Sequence, residues 1–514
     1  MVRRIHYVLV LTIALIGLAS FPVAAQSGRT FYIDYASGSN SNNGTSNSAP
    51  WKTHPYMQTS AACTGTGSAP AYSHQAGDRF IFKGGVTWPA ACFGMNVAAG
   101  GSSSSMTDYY GVDTTWFTGG SFTRPVFDLA NTIPVSTGFS GGTSFSVIMV
   151  KAANVTFDNI EIKRQFIHSA GHIGPNSGYD CGIYFDGFSG AQGGLVKNGF
   201  FHDWVSDTAN ISAGWSNCAG GIGQNGGSSS YNVDRTTVSG QNSMDLTRGV
   251  QVSFGGCFQN ATEVKNSFCD HAGQGAVGFG SVHDSQFDHL SNAGAISPYT
   301  NGLHTNVIHD TFPGGGRLVY NNIMFNNAVG EVVGMCPTTD VYNNVMWNNS
   351  GAGADILIDT GVNACTVNTS TVANVYNNSV DCSNGQSCLR VIRAGVTIGT
   401  VNVKNNHWIT NSSPVSIELA IAALNQSNNI TMSSSAAASQ GYTVSNNLMP
   451  TSSSAQTVNS ALNLASLCIG NLSAFCFDRL HAPRLSSWDA GAYQFGSQSS
   501  SKPNPPSGLS AVVQ

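Results

Sequence analysis

Acidic and imidazole side chains are concentrated between residues 270 and 310. Only 9% of the 514 residues are charged, so this cluster stands out against a background rich in Gly, Ser, Thr and Asn. Carboxylates and imidazoles that lie close together can transfer protons, act as nucleophiles or bind sugars. The nine side chains of the cluster are Asp270, His271, His283, Asp284, Asp288, His289, His304, His309 and Asp310.

A short pattern recurs through this segment and predicts how its side chains align. Residues 264–271 match residues 282–289 at an offset of 18. Residues 308–311 then align with the start of the second copy. The alignment predicts that Asp284 and Asp310 occupy equivalent positions on successive coils, and that the Asp-His pairs at 270/271 and 288/289 stack at a strand end.

Carboxylates that stack on neighbouring coils suit hydrolysis of glycosidic bonds. Stacked strands lie about 4.8 Å apart, so two carboxylates would be about 5 Å apart on adjacent coils and about 10 Å apart on alternate coils. Retaining glycosidases use a spacing of about 5 to 5.5 Å, and inverting ones use roughly 6.5 to 9.5 Å. Like charges this close raise one pKa and keep one acid protonated. The predicted catalytic residues are Asp270, Asp284, Asp288, Asp310 and His289.

Other side chains near the same coils are candidates for contact with the substrate. They carry imidazole, cationic or aromatic groups that can bind sugar hydroxyls or ring faces. The predicted substrate-binding residues are His271, His283, His309, Arg317, Lys265, Arg248 and Tyr299. Each acid also has a structural interpretation, because an inward Asp can simply accept hydrogen bonds from neighbouring Asn or Ser. Alternation along a strand places His283 and Asp284 on opposite faces unless a bend intervenes.

Two other functions are compatible with the same residues. A polysaccharide lyase or uronate epimerase needs a base together with a cation beside the uronate carboxylate, for which Lys265, Arg248 and Arg317 are candidates. A non-catalytic glycan-binding solenoid or adhesin would use the Asp and Asn positions structurally. The sequence identifies no definite cofactor, although Asp- and Asn-rich turns could bind Ca²⁺ through oxygen ligands. His304 and His309 are poorly spaced for metal binding on a strand.

An Asn-rich repeat indicates the framework that would position these side chains. The run Val319-Tyr-Asn-Asn-Ile-Met-Phe-Asn-Asn returns from Val341 at an offset of 22 residues, and weaker copies begin at Val375, Val403 and Val444. A short strand and a polar bend repeated at such intervals are typical of a solenoid, in which stacked units share one core. Because an amide both donates and accepts, equivalent Asn residues can hydrogen-bond along the stack.

Segments at both ends of the chain resemble a known family. The strand Phe31–Tyr35, the Gly/Asn/Ser loop after it and Pro50-Trp51-Lys52-Thr53 are similar to the opening of secreted proteins of the pectate-lyase-like superfamily. Residues 78–85 resemble the first regular coil of such proteins, and residues 488–495 resemble a closing motif. The resemblance implies an all-β, right-handed parallel β-helix of about a dozen coils, with long loops on one side, that acts on an extracellular polysaccharide.

This resemblance implies a fold and a substrate class but no mechanism. The Arg-x-Pro-x-x-Arg pattern of pectate lyases is missing, as is the Asn-Thr-Asp, Asp-Asp and His-Gly set of polygalacturonases. The expected organisation is a signal peptide at 1–25, an N-terminal strand and cap at 26–77, the β-helix at 78–496 and a Pro-rich tail at 497–514. Hydrolysis by an Asp pair on adjacent coils is the favoured function.

The N-terminus predicts secretion into an extracellular or periplasmic space. Arg3 and Arg4 precede an apolar run at 7–20, and Val23-Ala24-Ala25 offers a cleavage site before Gln26. Without this leader the chain has 19 basic and 26 acidic residues, a net charge of −7, which disfavours nucleic acid as a partner. No later stretch is long enough to span a membrane. We expect a secreted monomer.

The 12 Cys residues of a secreted chain predict disulfide bonds. Three pairs are close in sequence, and three others could join neighbouring coils, although the spacing alone does not determine connectivity. The candidate pairs are 63/92, 382/388 and 468/476 within short segments, and 181/218, 257/269 and 336/365 between coils.

Overall fold

Three long parallel sheets build the protein, and the chain visits them in turn as it coils. The computed structural model describes residues 28–139, 142–167, 180–206, 218, 220–225, 230–253, 255–291, 305–310, 317–336, 338–351, 353–359, 368–392, 398–418 and 421–496. Within these residues, strands on successive coils pair in parallel throughout. This stacking confirms the predicted parallel β-helix.

The strands of each sheet are given in stacking order. The first sheet contains Thr30–Ile33, Arg79–Phe82, Asp108–Gly111, Val155–Asp158, Gly194–Lys197, Tyr231–Asp234, Glu263–Lys265, Ser281–His283, Arg317–Tyr320, Thr339–Tyr342, Val372–Tyr376, Ile398–Lys404 and Ile421–Ser427. The third contains Met95–Val97, Ile148–Val150, Ile183–Asp186, Gly220–Asn225, Gly256–Gln259, Gln274–Val277, Asn306–His309, Glu331–Met335, Ala354–Asp359, Ser387–Ile392 and Val415–Ile417.

The second sheet lies between these two along each coil. It contains Thr87–Pro89, Val126–Thr132, Glu161–Ile167, Phe200–His202, Thr237–Ser239, Phe268–Asp270, Gln286–Asp288, Ile323–Phe325, Val345–Trp347, Ser379–Asp381, His407–Ile409 and Ile430–Met432, with Val205–Ser206, Met244–Asp245 and Val250–Gln251 beside it. A separate hairpin pairs Thr137–Phe139 with Gly142–Ser144.

The helices of the described residues are short. The two α-helices of the described residues are Ala61–Thr64 and Ser434–Ser439. The described 3₁₀ segments are Ala90–Cys92, Gly187–Ser189, Val444–Asn446, Ala465–Leu467 and Gly470–Cys476. Within the described part of the chain, no helix is long and apolar enough to cross a membrane.

The repeated Val of the Asn-rich motif lines the core. Val282, Val319, Val341, Val375 and Val403 are register partners along the first sheet, and all are fully buried. Their branched side chains stack above one another because alternate residues of a strand face the same side. Each coil therefore buries its apolar residues against the coils above and below it.

The second Asn of each Asn-Asn pair forms a buried hydrogen-bond ladder. Asn322 donates to Asn344 at 3.0 Å, Asn344 donates to Asn378 at 3.0 Å and Asn378 donates to Asn406 at 3.0 Å, in each case from Nδ2 to Oδ1. Asn406 continues the ladder to Asn429 at 2.9 Å. This confirms the predicted use of the repeated amide.

Replacing Asn344 with Ala should destabilise the fold strongly. Its amide donates to Asn378 and to the Val319 carbonyl, and its oxygen accepts from the backbone and side chain of Asn322. Leaving such buried partners unpaired costs about 2 to 4 kcal/mol, which a lower thermal unfolding midpoint would reveal. Asn402→Ala is the matched control, because Asn402 lies on the outer face, and it should cost less than about 1 kcal/mol. Equal losses in the two variants would contradict a special role for the inner ladder.

The first Asn of each pair has a different role, because it sits in the left-handed backbone region. Asn321, Asn343, Asn377 and Asn405 have φ between 50° and 59°, a conformation that Asn tolerates better than most residues. The resulting bend turns the chain from the first sheet to the second. It also turns the first amide outward, away from the core.

These outward amides hold residues 457–494, which we call the C-terminal strap. Asn343 donates to the Phe477 carbonyl at 2.9 Å, and Asn377 donates to the Asp489 carbonyl at 3.0 Å. Two more such bonds fix the other end of the strap, from Asn405 to Leu462 and from Asn428 to Ser460. The strap therefore lies along the bend between the first and second sheets.

Five of the six predicted disulfides are present in the described residues. They join Cys63 to Cys92, Cys181 to Cys218, Cys257 to Cys269, Cys382 to Cys388 and Cys468 to Cys476. Cys365, the predicted partner of Cys336, lies outside the described residues. The covalent staples fit an oxidising compartment.

The strands of the solenoid begin before the predicted cap boundary. Thr30–Ile33 pairs with Arg79–Phe82 as the first rung of the first sheet, and the coils continue to Ile430–Met432. The segments expected to be the signal peptide and the tail lie outside the described residues. The proposed domain boundaries stay predictions.

Candidate active site

Asp270 and Asp288 lie directly above one another at the end of the second sheet. They are register partners on adjacent coils, which places their backbones about 5 Å apart. Asp270 is almost completely buried, at 6% exposure, and the Asp288 side chain is 16% exposed. The prediction that these two acids stack at a strand end agrees with this register.

A histidine follows each of these acids and bonds to it. Nδ1 of His271 lies 2.9 Å from Oδ2 of Asp270, and Nδ1 of His289 lies 2.6 Å from Oδ1 of Asp288. Both His residues adopt positive φ, 49° and 51°, at the bend where neighbouring coils carry Asn. Their rings stack with centroids 4.8 Å apart. The four side chains therefore form one compact unit, which we call the Asp-His quartet.

Burial and the nearby like charge of Asp270 raise the pKa of Asp288. Burial raises the pKa of Asp288 to about 6; the charge of His289 opposes the rise, and that of Asp270 adds to it. Oδ1 of Asp270 is buried and has no hydrogen-bond partner among the described residues. Because of its raised pKa, Asp288 keeps its proton to a higher pH than an ordinary Asp does.

Asp284 occupies the bend position that Asn holds in later coils, with φ of 53°. The bend lets His283 reach it, with Nδ1 2.7 Å from Oδ2. Nε2 of His481 in the C-terminal strap lies 3.0 Å from its other oxygen, and Asn321 donates to it at 3.1 Å. Although burial raises the pKa of Asp284, the bonds to His283 and His481 lower it well below its ordinary value. Asp284 is thus held as an anion.

Asp310 does not align with Asp284, so that prediction is wrong. Residues 306–309 belong to the third sheet and pair with 274–277. On the next coil, the position equivalent to His283 is occupied by Tyr320 of the first sheet. Asp310 is fully buried, and its Oδ1 lies 2.7 Å from Nε of Arg317. Two predicted site residues are therefore partners of each other, away from the quartet.

The remaining predicted contacts are also engaged elsewhere. Lys265 Nζ lies 2.5 Å from Glu263, and Arg248 Nε lies 2.6 Å from Asp245. His309 is buried and shares a 3.0 Å hydrogen bond with Asn306. Tyr299 lies outside the described residues. Of the predicted substrate-binding residues, His271 is the one that the register brings into the quartet.

A Glu-His-Asp arrangement that the sequence analysis did not predict occurs twice. Nε2 of His283 lies 3.2 Å from Glu263 on the preceding coil, and Nδ1 bonds to Asp284. Nε2 of His202 likewise lies 3.2 Å from Glu161, and its Nδ1 lies 2.8 Å from Asp203. The signal for both was available as Glu-x-Lys on one coil followed by His-Asp on the next. Its recurrence on two different sheets favours a structural role at the bend.

Aromatic side chains continue the column that contains the two acids. Phe325 is the register partner of Asp288, and Trp347 follows on the next coil. Their rings stack with centroids 4.6 Å apart, and Trp347 is buried, so neither ring offers a free stacked pair of faces to a sugar. This column was missed because the repeat marks Phe325 and Trp347 simply as strand residues.

No group of three or more His, Cys, Asp or Glu side chains in the described residues is arranged to hold a metal ion. The quartet supplies two carboxylates and two imidazoles, but each His points Nδ1 at its own Asp and stacks face to face on the other His. Parallel rings cannot direct two nitrogens at one ion. The geometry therefore suits proton transfer better than metal binding.

Comparison with known proteins adds a likeness of fold. No protein-family model matches the chain, and no curated protein matches it. The chain is similar to the GH136 lacto-N-biosidase from Eubacterium ramulus (TM-score 0.46, 11% identity, 79% of this chain and 68% of that one). It is also similar to pectate lyase Pel9A (0.40, 12%, 91% and 96%) and to alginate lyase from Paenibacillus sp. str. FPU-7 (0.33, 14%, 68% and 93%).

Proposed function

We propose that the chain is a secreted enzyme that hydrolyses glycosidic bonds in an extracellular polysaccharide, with Asp288 as general acid and Asp270 as the partner carboxylate. The observation that carries the proposal is the register of these two acids on adjacent coils, with the pKa of Asp288 raised to about 6. A general acid must be protonated near its working pH, and a partner carboxylate must be ionised. The raised pKa of Asp288 meets the first requirement.

The spacing supports a particular kind of hydrolysis. Carboxylates about 5 Å apart leave no room for an attacking water between them and suit a retaining mechanism. In that mechanism the Asp288 proton passes to the leaving glycosidic oxygen while an Asp270 oxygen bonds to the anomeric carbon. Water then bonds to the anomeric carbon as the bond to the Asp270 oxygen breaks, and Asp288 takes a proton from that water. His289 and His271 orient the two carboxyl groups through their Nδ1 atoms.

The choice of polysaccharide follows from the resemblance of the chain's end motifs to the pectate-lyase-like superfamily. Lyase or epimerase chemistry is less well supported by the site. The three cations that were candidates to neutralise a uronate, Lys265, Arg248 and Arg317, are each paired with an acid of the chain. A cation already paired in this way has less charge to offer a substrate carboxylate.

A polysaccharide panel tests the proposal with two readouts. New reducing ends without unsaturated-product absorbance are expected from at least one substrate, because hydrolysis leaves no double bond. Both signals together would indicate a lyase and would overturn hydrolysis. Glycan binding without new reducing ends and without unsaturated products would contradict the enzymatic proposal and favour a glycan-binding solenoid. For an Asp288→Asn variant, Asp381→Asn is the matched control, because Asp381 lies in the same column of the second sheet three coils further on.

A further inference from the structure

The C-terminal strap makes a tight turn close to the Asp-His quartet. Asp478 is fully buried and organises this turn, because its Oδ1 accepts from the backbone N–H groups of Leu480 at 2.8 Å and Ala482 at 2.9 Å. The Asp478 N–H closes the turn on the Ala482 carbonyl at 2.8 Å. The turn thus presents Leu480 and His481 in fixed directions.

Two contacts seat this turn on the coils of the candidate site. His481 forms its 3.0 Å ion pair with Asp284, which lies just before the strand that carries Asp288. Leu480 and Phe325 both pack against one apolar cluster that includes Ile323 and Trp347. Phe325 is the next rung of the column after Asp288. The strap turn therefore sits on the bend that carries Asp284, and its Leu480 joins an apolar cluster that reaches the rung after Asp288.

We propose that His481 is a positioning residue, whose ion pair with Asp284 holds Leu480 on the apolar cluster beside Asp288 and so keeps water away from the Asp288 carboxyl. This inference rests on the proposed function, in which Asp288 must stay protonated. It gives Asp284 a role as the anchor of the strap. It also explains why this one bend carries Asp where the later bends of the same column, at Asn321, Asn343 and Asn377, carry Asn.

The charged groups around the Asp284–His481 ion pair determine the pH range in which the pair is ionised. Asp284 raises the pKa of His481, Asp478 adds to the rise, and Arg479 opposes it. Asp284 itself faces His283, His481 and Asn321, while Asp288 faces His289, Asp270, His271 and Asn326. Because the Asp284 pKa is lowered and the His481 pKa is raised, the pair is charged from acidic pH to above the ordinary His value of 6.5. The anchor weakens as pH rises through the raised His481 pKa.

His481→Gln tests the inference through the pKa of Asp288. Carbon-13 NMR of the full chain labelled at aspartate carboxyls should show the Asp288 pKa falling by about one pH unit toward its ordinary value as water gains access. The alkaline limb of the pH–rate profile should move down by the same amount. Leu480→Ala, which keeps the ion pair but removes the apolar cover, should produce the same change.

The control and the opposing outcomes separate this inference from the proposed function. His74→Gln removes a comparable imidazole–carboxylate pair, with Asp108, far from the quartet and should leave Asp288 unchanged. An unaltered Asp288 pKa in both His481→Gln and Leu480→Ala would overturn the inference even if the enzyme is active. A lowered Asp288 pKa in those variants, in a protein that cleaves no glycan, would uphold the positioning role and sink the hydrolase.

Discussion

Asp288→Asn is expected to lower kcat by about 10²- to 10⁴-fold, the usual contribution of a general acid. The amide keeps the size of the carboxyl and can still meet His289, but it cannot deliver a proton to a leaving oxygen. Because Asp288 ends a strand whose inward neighbour Phe287 carries the packing, the fold should tolerate the change. Initial rates on the polysaccharide that releases reducing ends measure the effect, with KM expected to change little.

The same residue predicts the direction of the pH dependence. The pKa of Asp288 is raised to about 6, so the protonated fraction is high below that pH and falls above it. An acid that works only when protonated should therefore lose activity as pH rises through about 6. In the Asp288→Asn variant this alkaline limb should disappear, whereas the Asp381→Asn control should retain both the rate and the profile.

Asp270→Asn probes the second half of the pair. Removing its charge removes one cause of the raised Asp288 pKa, so that pKa should fall, and carbon-13 NMR can follow it even when the rate is low. Loss of the partner carboxylate should also abolish most turnover. Wild-type rates in either the Asp288 or the Asp270 variant would show that the quartet is not the catalytic unit.

The stacking of coils and the Asn ladder could be predicted because both follow from a short repeat in the sequence. Val319 and Val341 are 22 residues apart and become register partners, and the amide of Asn322 meets that of Asn344 at the same separation. The adjacent acids at 270 and 288 followed from an offset of 18, which is the separation that the Ser267 and Ser285 hydrogen bond shows. Where coils repeat without insertions, sequence offset equals spatial register.

The misplacement of Asp310 shows where this reasoning fails. The coil after residues 281–283 is long, and equivalent ladder positions Ser285 and Asn322 are 37 residues apart. Residues 308–311 looked like the next copy because strands of all three sheets share a pattern of apolar residue, polar residue and bend. Period alone cannot say which sheet a strand joins once an insertion changes the coil length.

The partner of Asp284 was beyond prediction for a different reason. His481 follows the last coil, and no repeat relates it to residue 284. The contact exists because the outward Asn residues of successive bends line up and hold the strap by its backbone carbonyls. Backbone acceptors leave no trace in side-chain identity, so a column of donors can be read from the repeat, but the segment that it binds cannot.

A buried acid far from the quartet should make the stability of the fold depend on pH. Asp355 is fully buried; its Oδ1 accepts from Asn349 at 3.0 Å, and its Oδ2 has no partner among the described residues. Asn349 in turn accepts from Asn327. These side chains form a second, shorter amide ladder at the bend between the second and third sheets, and Asp355 ends it. Burial raises the pKa of Asp355 from 3.8 to about 7; the Asn349 bond opposes the rise, and Asp381 adds to it.

Proton uptake on folding sets the direction of this dependence. Between pH 3.8 and about 7 the folded chain binds a proton at Asp355 that the unfolded chain lacks, so stability falls as pH rises through this window. Above pH 7 the loss in the free energy of unfolding levels off at roughly 4 kcal/mol, since a tenfold change in proton affinity corresponds to about 1.4 kcal/mol. At pH 5 roughly a third of this loss of stability is present.

Asp355→Asn should therefore raise the thermal unfolding midpoint at pH 8 and have a much smaller effect at pH 5. Its Oδ1 still accepts from Asn349, and the side chain is neutral at every pH, so the gain between the two conditions should be roughly 2 to 3 kcal/mol. Asp381→Asn should give a weaker change in the same direction, because it removes one of the charges that raise the Asp355 pKa. Equal destabilisation of Asp355→Asn at both pH values would mean that the ladder needs the carboxylate itself, with its charge met by a partner.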